Sequence, residues 1–174
     1  MTTTSPLTLI RPRREDDLEA LAAVLVQVHE QDGYPVEGVA DPLAWLHVNR
    51  PLGAWTAELD GQPLGHVALT EPGPGDDAPR IWHEHTGTPL ESIAVLGRLF
   101  VAPHARGHGL GRQLTHTATH AARQAGHRAV LDVMTKDHDA IRLYETLGWT
   151  HFADIEHHHG RGVSTDGWAY VAPI

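Results

Sequence analysis

The 174-residue chain has the length of about one domain, and 41% hydrophobic with 20% charged residues is the composition of a globular protein. Thirteen Lys and Arg against 22 Asp and Glu leave a formal charge of −9, which argues against non-specific binding to nucleic acid or an anionic membrane. There is no cysteine, hence neither disulfide nor thiol nucleophile, and no apolar stretch or basic leader that would span or target a membrane, so a cytoplasmic location is expected.

No repeat or linker divides the chain, so residues 1–174 are expected to form one domain with a frayed tail over residues 1–6. Leu7 to Arg11 reads as a strand. Asp16, with Glu19 three residues later, resembles an acidic capping box, and Leu18, Leu21, Leu25 and Val28 at helical spacing predict a helix from 17 to about 30. Gly33-Tyr34-Pro35 breaks it. Asp41 as N-cap and Pro42 at the first helical position restart a helix carrying Leu43, Trp45 and Leu46. Residues 54–59 and 64–69 are strand-like around Asp60-Gly61, a strong hairpin signal. Pro72 to Pro79 reads as a surface loop, and Arg80 to Pro89 shows no clear period. Leu90 to Ala102 is expected as the central strand, with a bulge near Gly97.

The chemistry concentrates after that strand. Arg106-Gly107-His108-Gly109-Leu110-Gly111 follows an apolar run, and Leu110, Leu114, Ala118, Ala121, Ala122 and Ala125 then share one helical face until Gly126. A strand, a glycine-rich turn and a helix start make a phosphate site, because free N–H groups and the helix dipole face the ligand. The spacing fits neither the P-loop nor the dinucleotide fingerprint. Ala129 to Met134 reads as another buried strand, followed by a helix with Ala140, Ile141, Leu143, Tyr144 and Leu147, capped by Gly148.

Arg106-x-x-Gly109-x-Gly111 resembles motif A of the GNAT superfamily of acyl-CoA N-acyltransferases. The run from Ala140 to Trp149, Ala-Ile-Arg-Leu-Tyr-Glu-Thr-Leu-Gly-Trp, resembles its motif B. The two together are far more specific than either alone. The resemblance covers about Ile93 to Phe152 and implies an α+β, three-layer domain. Its sheet would be mixed, mostly antiparallel and splayed, with six to seven strands and about four helices. It implies transfer of acetyl from acetyl-CoA to a primary amine of a small molecule or peptide, without a metal.

By position, Leu99, Phe100 and Val101 would bind pantetheine and polarise the thioester through main-chain groups. Arg106, Gly107, His108, Gly109, Leu110, Gly111 and Arg112 would hold the pyrophosphate. Tyr144 would protonate or hydrogen-bond the CoA sulfur, with packing beside Leu143 and Leu147 as the plainer role. Asp137 stands where many members carry asparagine, and adds a negative charge there. The resemblance also places the early helices at the acceptor site, which makes Tyr34 and Trp45 specificity candidates beside a role as ordinary core.

The amine must lose a proton before it attacks, so a base is needed. Better-known members carry a strand glutamate where this chain has Val95 and Leu96. Glu91, which shares the alternation of Val95, is one candidate; His83, Glu84 and His85 are others, and a water chain is a further one. A non-catalytic acyl-CoA-binding or regulatory module is the alternative that the absent glutamate favours. The acidic composition favours a cationic acceptor such as a polyamine, an aminoglycoside-like drug or a lysine-bearing peptide. Glu156-His157-His158-His159 reads as a solvated turn rather than a metal site, because adjacent strand residues point apart. Gly167 to Ala172, with Trp168 and Tyr170 alternating, is expected to close the sheet and to offer a homodimer contact.

Overall fold

A computed structural model describes residues 4–160 and 162–174, so the expected frayed tail falls partly outside the described residues. The strands are β1 (Thr8–Pro12), β2 (Pro51–Leu59), β3 (Gln62–Thr70), β4 (Ile93–Val101), β5 (Arg128–Met134), β6 (Thr150–His158) and β7 (Ser164–Val171). They form one sheet of order β1-β2-β3-β4-β5-β7-β6, antiparallel except for the parallel pair β4–β5. The helices are α1 (Leu18–Asp32), α2 (Pro42–Leu46), α3 (Asp77–Thr86), α4 (Leu110–Gln124) and α5 (His138–Thr146). This is the α+β fold anticipated, with one helix more.

Local chemistry explains most boundaries. Asp60 and Gly61, at φ 50° and 80°, make the left-handed turn that a two-residue hairpin requires. Asp41 caps α2 by accepting from the Ala44 N–H at 3.0 Å. The start of α1 differs from expectation. Asp16 lies in a 3-10 turn over Glu15–Asp17, and it is Asp17 whose carboxylate does the work. It accepts two bonds from the Arg11 guanidinium, one from the Arg14 N–H and one from Thr56 Oγ1, while Arg11 also reaches Glu58. This ties α1 to β1 and β2. The Arg11 bonds hold the Asp17 carboxyl well below the usual carboxylate range.

The helix that the sequence did not reveal is α3. It begins inside the stretch read as loop and runs through the aperiodic segment, because Trp82 on its inner face packs edge-on against Phe152 at 5.0 Å. A small core of Ile93, Val95, Val130, Ala169 and Val171 lies with it. The larger core joins Leu21, Leu25 and Val28 of α1, Leu114 of α4 and the inner residues of β3, β4 and β5. β7 corrects a second expectation: it does not close the sheet but pairs with both β5 and β6, with Tyr170 fully buried, and β6 is the edge strand.

Candidate active site

The central feature is a gap in the sheet. β4 and β5 pair from Ile93↔Arg128 to Val95↔Val130 and then part, which leaves the β5-facing edge of β4 without a ladder partner beyond Val95. On its other edge β4 bulges: Ala68 pairs with Gly97 and His66 with Phe100, so Val67 faces both Arg98 and Leu99. Arg98 sits at φ 52°, a left-handed conformation costly for a side-chain-bearing residue. His66, fully buried, holds it there. Its Nδ1–H donates to the Arg98 carbonyl at 2.8 Å, Arg13 Nη1 donates to its Nε2 at 3.1 Å, and its ring stacks on Phe100. Burial lowers the His66 pKa to about 4, which keeps the imidazole neutral and able to accept from Arg13.

The gap opens into a cleft of about 890 Å³, large enough for a cofactor-sized ligand. Leu99, Phe100 and Val101 line it, as do Arg106, Gly107, Gly109, Leu110, Gly111, Arg112 and Asp137. Gly107 and Gly109 adopt φ 84° and 75°, which glycine takes without strain, and a side chain on Gly107 would project into open space. Gly109 caps α4 through its backbone with no side chain over the helix end, so the N–H groups of Leu110, Gly111 and Arg112 face outward. That is an anion cradle. Arg112 is exposed beside it, whereas Arg106 is paired with Asp32 at the end of α1. His108 turns back to the Ala105 carbonyl and does not line the cleft.

Tyr144 reaches the same cleft from α5. It is 6% exposed, packs against Trp149, and among the described residues its hydroxyl has no hydrogen-bond partner. Burial pushes its pKa up, and the charges of Asp132 and Asp137 add to the effect, so the phenol keeps its proton. Asp132 is the residue that sequence reasoning missed. It stands on β5 two positions past the last β4–β5 pair, its side chain open to the cleft. The protein around it displaces enough water to raise its pKa, and His157 opposes that shift while Asp76 and Asp77 reinforce it. The signal was a lone acidic residue in an otherwise apolar strand, Ala-Val-Leu-Asp-Val-Met.

The other base candidates fall elsewhere. Glu91 lies in an exposed 3-10 turn over Leu90–Ser92, ahead of β4, so strand alternation does not carry it to the cleft. On α3, His83 bonds the Thr88 carbonyl and Glu84 bonds Arg80, both away from the cleft. Glu156, His157 and His158 belong to β6 rather than to a turn, and His157 enters the cleft wall. Among the described residues no cluster of His, Cys, Asp or Glu is placed to hold a metal ion. Among the described residues no helix is long and apolar enough to cross a membrane.

The far wall is aromatic and polar. Tyr34 meets Trp45 edge-on at 5.8 Å, and Trp45 Nε1–H donates to Glu37 at 2.8 Å. Both rings line the cleft while also packing against the core.

An open sheet parted at its centre, with free helix-start amides at one end of the gap and a protonated phenol beside it, is the arrangement that the resemblance implies. The family model for the Acetyltransferase (GNAT) family matches residues 18–149, and the chain belongs to that family. A mycothiol acetyltransferase of Acidothermus cellulolyticus is 30% identical over 165 residues, covering 90% of this chain and 48% of that protein. The chain spans about half or less of the length of the mycothiol acetyltransferases it matches. Among solved structures, the ribosomal-protein-alanine N-acetyltransferase of Brucella melitensis superposes with a TM-score of 0.73 at 23% identity, over 95% of this chain and 99% of that one. A putative acetyltransferase of Salmonella typhimurium, solved with its cofactor acetyl-CoA, gives 0.70 at 19% identity, over 94% and 91%. At these identities the two structures attest the fold.

Proposed function

We propose that the chain is an N-acetyltransferase that moves an acetyl group from acetyl-CoA directly to a primary amine. The observation that carries this reading is the meeting of Tyr144, Asp132 and the open edge of β4 in one cleft that ends on the start of α4, where no side chain covers the free amides. The cleft fits the co-substrate on its own chemistry: a side-chain-free glycine cradle with free N–H groups for phosphate, a narrow gap with unpaired strand amides, and an unpartnered hydroxyl. Acetyl-CoA supplies an acyl group on a thiolate leaving group.

The chain's residues divide the remaining work. The amides at the start of α4, with Arg112 beside them, bind and orient the diphosphate. The β5-facing amides of Leu99 and Val101 are free to donate to pantetheine and to the carbonyl oxygen as it gains charge. Asp132 accepts the proton that the amine must lose, a task helped by its raised pKa, which brings it closer to neutral pH. Tyr144 holds its proton at Oη and donates it toward the departing sulfur. Asp132 would thus fill the place of the absent strand glutamate, which supports the enzyme over the binding-only alternative.

The test is release of free thiol from acetyl-CoA in the presence of a panel of amines. Wild-type protein should release thiol with at least one acceptor, and Tyr144→Phe should lose about tenfold to a hundredfold in kcat while retaining acetyl-CoA affinity. Tight binding of acetyl-CoA with no acceptor-dependent release across the panel would identify a binding module.

A further inference from the structure

Arg98 is unusual in three respects. Its backbone is held at φ 52° by the His66 clamp, which turns the side chain of a central-strand residue toward α2. There the Nε–H donates to the Trp45 carbonyl at 2.7 Å, and the guanidinium carbon lies 5.2 Å from the centre of the Trp45 ring. One N–H and one face of the group are thereby fixed. The two Nη groups, with four N–H donors, have no hydrogen-bond or carboxylate partner among the described residues, and Arg98 lines the cleft beside Trp45. The carboxylate on that wall, Glu37, is engaged by Trp45 Nε1 and faces His157 at 3.9 Å.

A fixed, half-buried guanidinium with its fork free is a receptor for a planar oxyanion. We propose that Arg98 binds a carboxylate on the acceptor, so that the substrate is an amine carrying an anionic group, as in an amino acid. This rests on the transfer reading above and specifies its second substrate. Asp132 and Arg98 lie on the two strands that part, two and three positions beyond their last pair. The gap therefore presents an anion to the ammonium end and a cation to the other end of a zwitterion. Local complementarity of this kind outweighs the net charge of −9, which is spread over the whole surface and by itself favoured a cationic acceptor.

The experiment compares amino acids with their carboxamides by two readouts: thiol release from acetyl-CoA, and calorimetric binding to the protein saturated with CoA. Wild-type protein should prefer the acid to its amide by tenfold or more in both. Arg98→Gln should bring that ratio to about one, Arg98→Lys should restore part of it because the charge returns without the fork, and unchanged acetyl-CoA affinity in both variants reports an intact fold. Amides accepted as well as acids by wild-type protein, or equal losses on both in Arg98→Gln, would overturn the proposal. Because the binding readout needs no turnover, acid-selective binding through Arg98 without thiol release would sustain the anion site and remove the transfer reading. Thiol release with amides alone would do the reverse.

Discussion

Asp132 and Tyr144 flank one gap from adjacent elements, and single-group changes separate their roles. Asp132→Asn keeps the shape and removes the proposed base, so kcat/KM should fall about a hundredfold or more, with acetyl-CoA affinity retained. In wild-type protein the acidic limb of the kcat/KM profile should lie above the ordinary aspartate value of about 3.9, since the surrounding cleft walls displace water from Asp132 and raise its pKa. A limb at or below that value would remove Asp132 from the role. His66 gives a residue-scale statement about stability. Its pKa is lowered to about 4 in the folded protein, so between that value and about 6.5 the unfolded chain binds the extra proton. Stability therefore rises with pH across this window, by at most about 1.4 kcal/mol per unit from this group. Urea melts of wild-type protein and His66→Gln at pH 7 and pH 5 should show the larger acid loss in wild type; equal losses would contradict the assignment.

At the scale of elements, the start of α4 and the bulge in β4 do most to shape the site. Gly109 caps α4 at φ 75°, so Gly109→Ala leaves space for the methyl group but imposes a left-handed backbone costing about 1–2 kcal/mol. Acetyl-CoA affinity should weaken by about tenfold, measurable by calorimetry, while far-ultraviolet dichroism stays unchanged. The same two elements show what was legible in the sequence. Glycines that terminate or cap helices announce themselves by type and spacing, which made the glycine turn before α4 and the end of α5 readable in advance. The bulge was placed near Gly97, but its strained residue is Arg98, because the clamp is His66, 32 positions away in the chain. α3 escaped because its apolar contacts are few, Trp82 above all, and its stability comes from tertiary packing on β5 and β6 rather than from periodicity. Glu91 misled for a related reason: alternation holds only where the strand exists, and β4 begins at Ile93.

The whole molecule depends on one sheet held at both flanks while open at its middle. At the β1–β2 flank, Arg11 and Asp17 are 10% and 5% exposed in their side chains and share Glu58 and Thr56. Removing one member strands the others: Asp17→Ala should cost about 3–5 kcal/mol, seen as a lowered urea midpoint. The Asp17 pKa is depressed, so its contribution is complete above about pH 4 and is lost as pH falls through and below that value. Acid destabilisation should thus come in two stages, His66 first and Asp17 after it. Topology at this scale was only partly foreseeable. The resemblance implied six to seven strands, yet the order β5-β7-β6, which buries Tyr170 and leaves β6 rather than β7 at the edge, depends on pairing between distant segments.

The central claim is that the gap between β4 and β5 is an acetyl-CoA site equipped for transfer. Calorimetric titration of the purified chain with acetyl-CoA, followed by a stopped thiol assay on the same sample with amino acids as acceptors, addresses it most directly. Binding should be saturable and one-to-one with a Kd of about 1–100 micromolar, corresponding to about 5–8 kcal/mol, and thiol release should fall about a hundredfold or more in Asp132→Asn. Absence of binding, or thiol release unaffected by Asp132→Asn, would contradict that claim.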